Sequence, residues 1–243
     1  MLEILVFLSI GKRDVFMWRL FQHLFRFFLP EVKIEEKGLL LGEPALVVSN
    51  HVGSIGPVWL LSFWPERLFP WIVSEMLTLR KAPLYLFEDF VKKEMHLKGS
   101  IGKAVSLCLA LIVVPFLRFL GCIPVYRKSR LITLTMERSL KVLLGGGKVV
   151  VFAEEASQPT KEGVAPLRHG FLKLAALYWE KTGKPLRVIP VAICPSSRRI
   201  LVGESFSIGE EALSLEKRKQ KVLEIERIIR ELYVQGRGSP PPL

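Results

Sequence analysis

Three short apolar runs constrain the fold of this chain more than any other feature: "ALVVSN" at 45–50, "KVVVF" at 148–152 and "LRVIPVAI" at 186–193. Each is shorter than an ordinary helix, rich in β-branched residues and apolar without alternation, the pattern of a strand covered on both faces. Between the last two blocks of the middle region, "RLITLTMERSLKVLLGGG" reads as a helix stopped by glycine, standing between the strand "GCIPVYRK" and the strand "KVVVF". A strand, a helix and a strand joined by short links make a parallel crossover. The expected fold is therefore a single α/β domain, a mixed and largely parallel sheet flanked by helices. With 243 residues the chain can close one such core and is short for two.

The first thirty residues differ in kind. "MLEILVFLSIGKRD" is an apolar run broken by Glu3 and Gly11, short of the ~20 apolar residues that span a bilayer. From Val15 to Leu29, Met17, Leu20, Phe21, Leu24, Phe25 and Phe28 recur at helical spacing, with Arg19, Gln22, His23 and Arg26 on the other face and Pro30 as the stop. An aromatic face opposite a basic one is the pattern of a helix lying in the headgroup plane. Composition agrees: half the residues are hydrophobic, the mean hydropathy is +0.33, the net charge is +12 and the pI is near 9.8. Lys12, Arg13, Arg19 and Arg26 would each add about 1 kcal/mol of attraction to an anionic membrane surface. The expected location is the cytoplasmic face of the membrane, peripheral or monotopic. Nucleic acid is not an expected partner, since the chain has no zinc-finger spacing, no RNP-like aromatic motif and no Arg-rich recognition helix. The expected division is an N-terminal interfacial segment at 1–30, an α/β domain at 31–234 and a disordered tail, "QGRGSPPPL", at 235–243.

Within the domain, "AVSLCLALIVVPFL" at 104–117 is uncharged between Lys103 and Arg118; it predicts a buried core helix kinked at Pro115. Helices are expected from Leu167 to Lys181 and from Leu215 to Val234, and "RRILVGESFSI" at 198–208 reads as a hairpin. Cys108, Cys122 and Cys194 are odd in number and widely separated, which predicts buried or inert thiols in a reducing compartment. No His, Cys or Asp cluster has metal-ligand spacing, so no metal is expected.

Ligands of an α/β sheet collect beyond the carboxyl ends of its strands. Three such ends carry polar groups: Asn50-His51, Arg127-Lys128 and Glu154-Glu155. A base, a cation pair and two acids would converge there. Four blocks in this order resemble the 1-acylglycerol-3-phosphate acyltransferases and their glycerolipid acyltransferase relatives. "SNHVGSIGP" resembles that family's Asn-His followed by four residues and Asp, and "GCIPVYR" its Gly-x-Ile-x-x-x-Arg strand. "VFAEEAS" resembles Phe-Pro-Glu-Gly-Thr, with "PLRHGFLKLA" after it like the family's basic-x-Gly helix start, and "VIPVAI" is the fourth block. Together they span residues 45 to 195.

The resemblance implies transfer of an acyl chain from acyl-CoA or acyl carrier protein to a lysophospholipid acceptor such as lysophosphatidate, with no prosthetic group. It places the catalytic histidine at His51, the phosphate-binding arginine at Arg127 beside Lys128, the acceptor-binding glutamate at Glu154, and further substrate-binding positions at Asn50 and Arg168. The chemistry suits those types. A neutral imidazole can take the acceptor's proton near neutral pH, and a guanidinium fork matches a phosphate. The thioester oxyanion calls for N–H donors whose positions a sequence does not give.

The departures fall on the acids. Gly56 stands where the family has its aspartate, Ala153 replaces the motif proline, Glu155 replaces the following glycine, and Ala156-Ser157-Gln158 lacks a basic residue. An acid that orients a catalytic histidine fixes its tautomer, so either the acid has moved or catalysis is lost. Glu155 is the candidate for orienting His51, with Glu154 keeping the acceptor; the two roles could be exchanged, and Asp89 in "FEDF" is a third candidate. The competing expectation is a catalytically silent lipid- or acyl-carrier-binding protein of the same fold. An acceptor without phosphate is a further alternative.

Overall fold

The computed structural model describes residues 12–36, 41–53, 55–126, 130–154 and 164–238. The chain divides into two compact units, one made of Met1–Leu68 with Ser139–Leu243 and the other of Phe69–Arg138.

The first unit is built around three of the predicted strands, β2 (Ala45–Ser49), β5 (Lys148–Phe152) and β6 (Leu186–Cys194). β2 lies between the other two and is parallel to both, with Val47 opposite Val150 on one side and Ile189 on the other. Every residue of β2 is buried, as the lack of alternation implies. On the far side of β6 follow β7 (Arg199–Val202), antiparallel to it, and then β1 (Lys33–Glu36), parallel to β7. The segment expected as a hairpin is not one. β7 pairs with the second half of β6, while β8 (Phe206–Ile208) pairs with its first three residues, Leu186 to Val188. A nine-residue strand has room for both partners end to end, so the chain between them runs along β6 instead of folding back.

Helix α1 (Lys12–Phe28) docks on α2 (Ile55–Phe63) in an unexpected orientation. Two residues of its predicted polar face enter the docking face, while Arg19 and His23 stay exposed. Gln22 is buried and donates to the carbonyls of Leu61 (3.1 Å) and Trp64 (2.5 Å), and Arg26 donates to those of Ser62 (2.8 Å) and Phe63 (3.3 Å). The last turn of a helix leaves carbonyls without partners inside it, and α1 supplies donors to those of α2. Trp18 and Phe21 are also buried, but Leu20, Leu24, Phe27 and Phe28 are exposed, Phe27 by 84% and Phe28 by 76%.

At the opposite end of the strands Lys148, with 2% of its side chain exposed, pairs with Glu66 at 2.5 Å and donates to the Glu43 carbonyl at 2.9 Å. Glu66 in turn accepts the Gly42 N–H at 2.7 Å. The predicted glycine stop of α5 (Ile132–Leu144) is a six-residue closure: Gly146, at φ +80°, donates to Leu143, and Gly147 donates to Val142. α6 (Lys173–Thr182) begins later than expected, after a tight turn at His169–Leu172, because residue 167 is drawn into a bridge with Glu154. α7 (Leu215–Gly236) runs past Val234. Gly236 is buried against Cys194, where a Cβ would come within 2.8 Å of a Leu201 methyl, so the helix enters the stretch expected to be tail.

In the second unit β3 (Leu68–Val73) is parallel to β4 (Ile123–Val125), and Thr135 of α5 donates to the Pro124 carbonyl at 2.7 Å. The long helix α4 (Gly99–Phe119) runs through Pro115. It is not the buried core helix expected from its composition. Only Gly102, Ser106, Ala110 and Val114 are buried, a single stripe packed against α3 (Ala82–Leu86) and its neighbours. The larger aliphatics point outward. Cys108 is exposed with them, against the expectation for all three thiols, whereas Cys122 and Cys194 are buried.

Candidate functional site

The register of β2 and β5 sets Ser49 beside Phe152, so the residues two beyond each strand end, His51 and Glu154, emerge next to one another. Glu154 closes the gap with both carboxylate oxygens. One accepts the backbone N–H of His51 at 2.7 Å and the other that of Ala165 at 2.9 Å. The segment around 165–168 is held further by the Arg168 N–H on the Ala153 carbonyl at 3.0 Å. Burial raises the Glu154 carboxyl above its ordinary value, against the pull of its two N–H donors and of Arg230.

His51 itself is exposed, and its ring meets Phe152 edge to face, with centroids 5.5 Å apart. The residue beneath it is fully enclosed. The Asn50 side-chain amide donates to the Ile193 carbonyl at 3.0 Å, and its oxygen accepts the Ile193 N–H at 2.7 Å, so the side chain continues the β2–β6 ladder by one rung. Expected among the substrate contacts, Asn50 turns its carboxamide to the backbone of β6.

The turn after the histidine is tight. Val52 and Gly53 follow one another at φ +34° and +57°. A β-branched residue in that region stores about 1–3 kcal/mol of strain. α2 then begins so close that a Cβ on Gly56 would lie 2.4 Å from the His51 carbonyl oxygen and 3.1 Å from its carbon. The position where the resembled family carries an acid is therefore occupied by main chain. No side chain fits at 56 unless the backbone of His51 moves.

Arg168 is exposed on the segment that Glu154 clamps. Its neighbour Leu167 donates its N–H to Glu226 of α7 at 3.0 Å, and Glu226 is itself held by Arg230 at 2.8 Å. Glu226 escapes a reading of the sequence. It sits among close-spaced charge pairs such as Arg227–Glu231, where a buried anchor and a solvated acid look alike. Arg127, Lys128 and Glu155 lie outside the described residues. Asp89, the third candidate acid, belongs to the other unit, where it pairs with Lys93 at 2.6 Å on the Phe87–Val91 turn. Among the described residues no three His, Cys, Asp or Glu side chains gather to hold a metal ion.

This arrangement presents an accessible imidazole whose backbone is fixed by Glu154 below and by the close start of α2 behind. It can accept a proton from a ligand arriving at the strand ends. The chain shares its fold with PlsC, the 1-acyl-sn-glycerophosphate (LPA) acyltransferase of Thermotoga maritima, at a TM-score of 0.56 over 93% of this chain and 80% of that one, with 14% sequence identity. No family model and no curated protein matches the sequence. The α/β class with a mixed, largely parallel sheet is thus the one expected, and it is the fold of that neighbour.

Proposed function

We propose that the protein is an acyltransferase of glycerolipid synthesis that works at a membrane surface, moving a fatty acyl chain from acyl-CoA or acyl carrier protein to a glycerol-phosphate-type acceptor such as lysophosphatidate. The observation that carries this reading is the His51–Glu154 junction at adjoining strand ends, on a fold shared with an LPA acyltransferase. His51 takes the proton of the acceptor hydroxyl as its oxygen attacks the thioester carbonyl. The tetrahedral oxyanion then collapses, the C–S bond breaks, and the imidazolium returns the proton to the departing thiolate. Arg127 and Lys128 bind the acceptor phosphate, and Arg168 adds positive charge beside it. Glu155 orients the imidazole, while Glu154 fixes the turn that presents it. The exposed Leu20, Leu24, Phe27 and Phe28 of α1, with Arg19 and His23 beside them, support attachment to an anionic leaflet.

The closed position at Gly56 favours one second reading, a lipid- or acyl-carrier-binding protein that has kept the fold and lost the reaction. Purified protein offered acyl-CoA and acyl carrier protein donors with lysophosphatidate and glycerol 3-phosphate separates the two. Turnover that disappears in His51→Ala establishes the acyltransferase. Silence across donors and acceptors, with lysophosphatidate still bound, establishes the binding protein.

A further inference from the structure

We infer that α4 is a second lipid-contacting surface, lying half-immersed along the membrane interface on its Leu107–Leu111–Ile112 face. The inference rests on the membrane attachment proposed above and is independent of acyl transfer. A helix in a water-soluble core turns its large apolar residues inward and its small or polar ones outward. α4 does the reverse. Its packed stripe is Gly102, Ser106, Ala110 and Val114, while Ile101 and Ile112 are each 70% exposed and Leu107, Leu111 and Phe119 are exposed as well. Small residues against protein and large ones outward is the pattern of a helix facing lipid.

Geometry selects an orientation along the surface over a crossing one. The packed stripe runs from Gly102 to Val114 against α3 and the turns beside it, so one whole side of the helix is covered by its own unit. α4 is long and apolar, and most of it lies outside the core. Charge selects the occupant. The exposed face carries Lys103 near one end and Arg118 near the other, about 22 Å apart at 1.5 Å per residue, with no acidic residue between them. Arg118 also holds the Leu77 carbonyl at 2.8 Å, which fixes its guanidinium at that end. Residues 69–138 contain eleven Lys and Arg against five Asp and Glu, a net +6. An apolar strip with basic ends matches the boundary between acyl chains and anionic headgroups. A second copy of the chain would bring the same positive charge to the same face.

Cys108 lies on this face and the other two thiols are buried, so a bimane label added to the folded protein reports on α4. The labelled full chain is mixed with vesicles of phosphatidylcholine and about one third phosphatidylglycerol, and flotation is read together with quenching by iodide and by lipids doxyl-labelled near the headgroup. The expected result is a protein that floats with its label shielded from iodide and quenched by the doxyl lipid. Leu111→Glu with Ile112→Glu, both at exposed positions, then lowers vesicle partitioning about tenfold. A protein that floats with its label still open to iodide overturns the α4 surface and leaves attachment through α1 standing. One that does not float overturns both. A label shielded without vesicles, in a sample that sediments as a dimer, assigns the face to a second copy and overturns the inference.

Discussion

Gly56 shows how one residue can set the distance between two stretches of main chain at a site. Glycine inside a helix is ordinarily improved by alanine, by about 0.5–1 kcal/mol. At 56 the sign reverses, because the new Cβ would press 2.4 Å from the His51 carbonyl oxygen. Gly56→Ala is expected to destabilise by about 1–3 kcal/mol, read as a lower urea midpoint, and Gly56→Asp to lose stability without gaining turnover. Glu154 gives a pH signature. Its carboxyl sits above the ordinary 4.5, so the folded chain holds that proton more tightly than the unfolded one. Its contribution to stability is therefore greatest at acid pH and declines as pH rises from about 4.5 through the raised value. Glu154→Gln removes that slope, so the difference in urea midpoint between parent and variant should vary with pH across this window and level off above it. The histidine and this glutamate are legible in the sequence because each follows an apolar strand. The closure at Gly56 is not, since a close approach between a turn and the next helix leaves no mark on residue type beyond the glycine itself.

At the scale of elements, strand and helix periods identify most of the architecture, and the failures have physical causes. α1 shows the right period but docks on an edge that mixes both predicted faces, Trp18 and Phe21 being buried while Gln22 and Arg26 donate to the end carbonyls of α2. Gln22→Ala leaves the Leu61 and Trp64 carbonyls without that donor and is expected to cost about 1–2 kcal/mol; faster proteolysis near residue 30 would show α1 loosening first. α4 reads as core by hydropathy alone, and only the spacing of its small residues reveals which side is packed. β7 and β8 read as a hairpin from their lengths, and the length of β6 is what separates them.

Across the molecule, the end of the strands remote from His51 is secured by charge. Lys148 is enclosed with Glu66, and Lys148→Met is expected to destabilise by about 2–3 kcal/mol, less than a fully buried pair because Glu66 is 28% exposed. Since this pair is far along β5 from the site, the rate measured well below the melting temperature should be unchanged, which separates stability from turnover. Thiol titration offers a second global check. Cys108 should react at once, and Cys122 and Cys194 only on unfolding, with Cys194 pushed up to about 11 by burial and so held as the inert thiol. The division of the chain also carries a kinetic consequence. Residues 69–138 are contiguous, whereas the other unit must join Lys33 to Arg199 and Ala45 to Arg187 across that insertion. Contacts so distant along the chain are slow to form. During synthesis the inserted unit can therefore fold while the sheet that bears His51 still waits for β5 and β6 to emerge, and the nascent chain carries the apolar face of α4 before His51 and Glu154 are brought together.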